Sequence, residues 1–104
     1  MELAKQLGIS ENQLKIMQNI FAKYSDITKV VVFGSRSQGK NKHFSDIDLC
    51  IVSDDVSQKS LVYAKEDLFE SDLIYKVDLH TFDNISSEKL KSRILRDGIV
   101  IWER

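Results

Sequence analysis

The chain has no proline and only four glycines among its 104 residues. Its helices must therefore end on glycine, asparagine and polar turns rather than on a proline stop. A single cysteine, Cys50, excludes an intrachain disulfide. It lies inside an apolar run, which predicts a buried, inert thiol rather than a nucleophile. An excess of either charge is lacking too. Fifteen Lys and Arg against sixteen Asp and Glu leave a formal net charge of −1. No global field then draws nucleic acid or an anionic membrane, so stable nucleic-acid binding is not expected. Attraction for polyanions must be local, and the basic cluster Arg36, Lys40 and Lys42 is the obvious place. No apolar run approaches the ~20 residues that span a bilayer. Met1 to Gly8 lacks the apolar stretch of a secretory signal. The expected compartment is the cytoplasm.

What is present is an ordinary globular composition, 42% hydrophobic and 30% charged. The length fits one domain over residues 1–104 with one real core. Neither repeats nor linkers interrupt it. Ser10 reads as a helix N-cap, with Gln13 completing a capping box. Leu14, Met17, Ile20, Phe21 and Tyr24 then recur at helical spacing, and the helix should end near Ser25-Asp26. Val30 to Phe33 is a β-branched run suited to a central strand, stopped by Gly34. Asp46 to Val52 predicts a second strand, and Lys76 to Phe82 a third. A helix is expected over about 57–70 with Leu61, Ala64 and Leu68 inward. Another is expected over about 86–97 through Leu90, Ile94 and Leu95, capped by Gly98, before a terminal strand Ile99 to Trp102. The expected class is α/β or α+β, one mixed sheet of about four to five strands backed by helices.

The chemistry concentrates between Gly34 and Leu49. Asp46 and Asp48 stand two apart on a strand, so both side chains leave one face, ~6.6 Å apart along the backbone. Ile47, Leu49 and Ile51 take the other face. Two ionised carboxylates at ~5 Å repel by roughly 3 kcal/mol at an effective dielectric of ~20. A divalent cation offsets that, and oxygen ligands of this kind suit magnesium. Asp78, on the later strand, falls beside the pair if the two strands are neighbours. Three carboxylates so placed can hold two cations for in-line phosphoryl or nucleotidyl displacement. Gly34 permits a tight turn and close backbone approach to a ligand. Amides after it, and the Ser35 hydroxyl, can meet phosphate oxygens. Taken singly, each motif has a plainer reading: a solvated Asp-x-Asp turn, or a simple strand-to-helix turn. Gly34 to Lys40 also matches seven positions of a P-loop. Asn41 then replaces the hydroxyl that such a loop needs for magnesium, and the chain is short for a doubly wound sheet.

The pattern Gly34-Ser35 … Ser45-Asp46-Ile47-Asp48-Leu49, followed by Val77-Asp78-Leu79, resembles the nucleotidyltransferase superfamily of DNA polymerase β, and within it the minimal stand-alone microbial members. The likeness runs from about Val30 to Trp102. It implies a mixed sheet with flanking helices. It implies that Gly34 and Ser35 bind the triphosphate of ATP, with Arg36, Lys40 and Lys42 as candidates near it; for Arg36 a structural role, tying the turn to nearby carbonyls or carboxylates, weighs equally. It implies that Asp46 and Asp48 bind magnesium, and that Asp78, the third carboxylate, helps activate an acceptor hydroxyl. The implied reaction moves a nucleoside monophosphate, AMP first of all, to a hydroxyl and releases pyrophosphate. Many minimal members are encoded beside a small helical protein of the HEPN type, and some such pairs act as toxin and antitoxin, the transferase placing AMP on a tyrosine. The chain departs from the usual Gly-Ser-Arg-Ala-Arg-Gly at Ser37 and Gln38. The second change removes a charge, which Lys40 or Lys42 would supply.

With no room after Arg104 for an acceptor-selecting domain, the acceptor site is expected to be completed by another chain, a helical partner or a second copy. Two rival classes stand beside this: a non-catalytic binding antitoxin, and an enzyme modifying a small hydroxylated molecule of antibiotic type. His80 shares the parity of Asp78, but a solvent-facing strand histidine is the favoured reading. His43 is read as solvated and Phe44 as a loop anchor.

Overall fold

The computed structural model describes residues 2–37 and 46–104. The expectations for Gln38, Lys40, Lys42, His43 and Phe44 fall outside the described residues. The element order is α1 (Glu2–Leu7), α2 (Glu11–Ala22), β1 (Lys29–Phe33), a 3-10 turn (Gly34–Arg36), β2 (Ile47–Ile51), α3 (Gln58–Glu70), β3 (Val77–Thr81), a second 3-10 turn (Phe82–Asn84), α4 (Glu88–Asp97) and β4 (Ile99–Glu103).

The helices start where polar caps allow. Ser10, Ser57 and Ser87 each accept a hydrogen bond from the backbone N–H three residues on. The capping box expected of Gln13 is only half made. Its side chain is buried and reaches away from Ser10, donating to the Asp72 carbonyl at 3.3 Å and accepting from the Ile74 amide at 2.9 Å. Helix α1 was not anticipated, since Leu3, Ala4 and Leu7 make too short a stripe. Its end is a Schellman turn. Gly8 takes φ +73°, its N–H meets the Lys5 carbonyl, and the Ile9 N–H meets the Ala4 carbonyl. Leu61, Ala64 and Leu68 face inward as expected, whereas Leu95 points to solvent because α4 buries only its Ile94 stripe.

The four strands form one mixed sheet in the order β3-β2-β1-β4. β1 runs antiparallel to both neighbours, which is not the parallel arrangement of a P-loop sheet. β2 and β3 are parallel and joined through α3, as a parallel pair requires a crossover. Alternation then sorts the side chains. Val30, Val32, Ile47, Leu49, Ile51 and Leu79 pack with α1, α2 and α3 in the main core. Val31 and Cys50 pack on the opposite face with Ile85 and Ile94, under α4. α4 covers one end of that second face. At its other end stand Phe33, Asp48, Asp78 and His80. Among the described residues no helix is long and apolar enough to cross a membrane.

Candidate functional site

The parallel register pairs Asp48 directly with Asp78, and the antiparallel register pairs Phe33 with Asp48. Register partners share a face, so both carboxylates leave the sheet on the same side, on strands about 4.8 Å apart. Both are half-buried. Asp46, exposed, sits one residue before β2 and adds its charge to the pair. The Asp48 carboxyl is held above the ordinary carboxylate range, first by burial, then by the neighbouring Asp78 charge, with Asp46 adding and His80 opposing.

The turn after β1 comes down onto this carboxylate. Gly34 has φ +78°, and a Cβ placed there would lie 2.9 Å from Asp48 Oδ2. Only glycine allows both the backbone angle and the approach. The Ser37 hydroxyl donates to the Gly34 carbonyl at 2.8 Å and closes the turn. Ser35 follows Gly34 in the turn.

Of the two roles open to Arg36, phosphate contact or a tie to nearby carbonyls, its described contacts are of the second kind: the side chain is turned inward and is 1% exposed. Its Nη1 donates to the Leu7 carbonyl at 2.8 Å and more weakly to the Gly8 carbonyl at 3.4 Å, and the guanidinium lies 4.7 Å from the centre of the Tyr75 ring. Among the described residues its charge meets the end of α1 and the Tyr75 ring. Lys40 and Lys42 lie outside the described residues.

Among the described residues no three His, Cys, Asp or Glu side chains are gathered into a metal cage. The donor set is instead an in-register pair with a third carboxylate within electrostatic reach. It fits a hard divalent cation: the donors are oxygens, like charges crowd one another, and burial adds to the strain on Asp48. Cys50, on the same face, is fully buried with its thiol pushed up to about 11, chiefly by burial, and offers no nucleophile.

Sequence reasoning missed two neighbours of the site, Tyr75, which underlies Arg36, and Phe33. Phe33 meets His80 edge to face with ring centres 5.8 Å apart. His80, whose parity with Asp78 the sequence showed, is exposed as favoured. Beside β3 lies a groove of about 860 Å³, lined in part by Phe69, Ile74, Tyr75, Asp78 and His80. Phe69 is 90% and Ile74 67% exposed, an apolar rim next to a carboxylate.

Comparison with known proteins bears on the fold and the family. The chain is 35% identical over 100 residues to a protein of Haemophilus influenzae described as a probable protein adenylyltransferase, MntA, covering 95% of this chain and 87% of that one. A crystal structure of a toxin–antitoxin complex with AMP-PNP superposes with a TM-score of 0.67 at 24% identity, over 92% of this chain and 75% of that one. The structure of a tri-AMPylated Shewanella oneidensis HEPN toxin with its MNT antitoxin gives 0.65 at 19% identity, over 90% and 72%. At such identities these two structures speak for the fold. The model of the family "Polymerase beta, Nucleotidyltransferase" matches residues 15–104. With four-fifths and more of its length matched in this way, the chain belongs to the polymerase beta nucleotidyltransferase family.

Proposed function

We propose that this chain, as one domain over residues 1–104, is a magnesium-dependent adenylyltransferase that moves AMP from ATP to a hydroxyl of a separate helical protein of the HEPN type. On this reading it is the antitoxin of a cytoplasmic toxin–antitoxin pair. The observation that carries the reading is the in-register pair Asp48 and Asp78 lying against the Gly34 turn. The Haemophilus relative supports protein as the acceptor, and the AMP-PNP and AMPylated-toxin complexes support the nucleotide and the partner class.

The acceptor oxygen attacks the α-phosphorus of ATP, the bond from that phosphorus to the bridging oxygen breaks, and pyrophosphate leaves. Asp78, which lines the groove, accepts the hydrogen bond of the incoming hydroxyl and receives its proton, which passes on to water. The backbone of Gly34 and Ser35 lies along the triphosphate, where a side chain at Gly34 would intrude on Asp48. Asp46, Asp48 and Asp78 would hold magnesium, two ions in the usual form of this chemistry, which neutralises charge on the phosphates as the bond breaks. The side chains contribute mainly position and charge, since such a displacement leaves little covalent work to the protein. The apolar rim of Phe69 and Ile74 suits a protein surface better than a small polar acceptor.

Intact-mass spectrometry tests the reading. A helical protein of the HEPN type taken as its partner, incubated with this chain, ATP and magnesium, should gain whole AMP masses. It should gain none with Asp48→Asn. A partner left unmodified by the wild-type chain would refute protein adenylylation.

A further inference from the structure

We infer that Arg36 is a positioning residue that fixes the nucleotide turn and the acceptor-side strand in one relation, by clamping the C-terminal carbonyls of α1 and the ring of Tyr75. The inference deepens the adenylyltransferase reading and rests on it.

Arg36 is the largest of the fully buried side chains. A charge taken out of water needs strong partners close by. Among the described residues Arg36 finds them on two other segments. The Leu7 and Gly8 carbonyls, 2.8 and 3.4 Å from Nη1, belong to the last turn of α1 and the residue beyond it, where helix carbonyls lack internal donors and partial negative charge collects. The Tyr75 ring lies under the guanidinium at 4.7 Å, a cation–π distance.

Placement gives the clamp its meaning. Arg36 ends the turn that begins at Gly34, and Gly34 leaves only 2.9 Å between its missing Cβ and Asp48 Oδ2. Tyr75 stands three residues before Asp78 on the chain that feeds β3. One side chain therefore links the turn proposed for the triphosphate to the strand proposed for the acceptor. Arginine suits this because its planar fork bonds along its edge while its face stacks; a lysine ammonium does one or the other. The carbonyls of the clamp lie at residues 7 and 8, before the family match begins at residue 15. That segment lies outside the family model's match but inside the stretch aligned with the Haemophilus relative.

Three variants, Arg36→Lys, Tyr75→Leu and Tyr75→Phe, test the clamp at a temperature where each is folded by circular dichroism. Two readouts are taken: kcat and KM for ATP at saturating partner, and backbone NMR order parameters at Ser35 to Ser37. Tyr75→Leu should lower kcat/KM more than fivefold, with the loss mainly in KM for ATP. Its turn order parameters should fall below about 0.6 while those of β1 stay near about 0.85. Tyr75→Phe, which keeps the ring face, should stay within fivefold and keep the turn rigid. Arg36→Lys should behave as Tyr75→Leu; if it does not fold, the two Tyr75 variants decide alone. A Tyr75→Leu turn as rigid as wild type, or equal losses in Leu and Phe, would overturn the clamp. A wild-type chain that transfers no AMP would instead overturn the adenylyltransferase reading, and the NMR readout would still judge the clamp.

Discussion

Gly34 does two jobs at one position, a backbone angle of φ +78° and a 2.9 Å approach to Asp48 Oδ2. Gly34→Ala should cost about 1–2 kcal/mol from the left-handed angle alone. It should lower transfer about 100-fold, because displacing Asp48 by even ~1 Å misplaces the reacting groups. Melting curves and single-turnover rates on one preparation check both. Asp48 behaves oppositely in stability. Its folded pKa lies above its unfolded one, so the folded chain holds this proton more tightly. The penalty on the fold therefore grows as pH rises from about 4 through the folded pKa and persists at neutral pH. Metal-free Asp48→Asn should melt no lower than wild type at pH 7, and its advantage should shrink on acidification. A lower melting temperature at pH 7 would contradict the crowded-carboxylate description. At this scale the sequence was legible where alternation decides: Asp48 and Asp78 share a face because parity and strand pairing put them there. For Arg36 a tie to carbonyls was legible as one of two roles, but which carbonyls was not. Its partner carbonyl lies 29 residues back, at the end of a helix too short to show a stripe.

Among the elements, long helices with full stripes were readable and their cross-links were not. Leu14, Met17, Ile20 and Phe21 on α2 are buried as their spacing required. Gln13 instead ties α2 to the loop before β3 through two long-range hydrogen bonds. Gln13→Ala should cost about 1–3 kcal/mol, from two such bonds at roughly 0.5–1.5 kcal/mol each. For a chain of this size, ~1 kcal/mol corresponds to about 4–8 °C in Tm. Asp26 makes a comparable tie. Its carboxylate accepts from the Ser57 amide at 2.9 Å and the Ser60 hydroxyl at 2.7 Å, anchoring the start of α3. The Ser57 amide is the main cause that lowers its pKa, with burial opposing. A depressed carboxylate stabilises the fold above its unfolded pKa and loses that contribution as pH falls from about 4 through the folded value. Asp26→Ala should therefore destabilise by about 1 kcal/mol at pH 7, with the gap to wild type closing toward pH 2 in urea titrations.

For the whole molecule, class and strand count followed from alternating apolar runs. The order β3-β2-β1-β4 did not, because pairing direction depends on where α3 crosses and where the turn after β1 folds back. The two apolar layers differ in reach. The main core runs from α1 to β3, with Phe21 fully buried at its centre beside Trp102, ring centres 6.5 Å apart. Phe21→Ala should cost about 3–5 kcal/mol. That is a large share of a marginal total, so partial unfolding at 37 °C by near-UV circular dichroism is expected. The second layer packs under α4, and beyond it Asp78 lines the groove beside β3. On the proposed reading, that unequal coverage leaves room there for a nucleotide and an acceptor.

The most direct test of nucleotidyl transfer at Asp48 and Asp78 uses ATP labelled at either the α- or the γ-phosphate, with a helical protein of the HEPN type as acceptor. The account predicts that α-label becomes protein-bound, that γ-label leaves wholly as pyrophosphate, and that Asp48→Asn and Asp78→Asn incorporate neither. Protein-bound γ-label, or undiminished α-label in the Asp78→Asn variant, would contradict it.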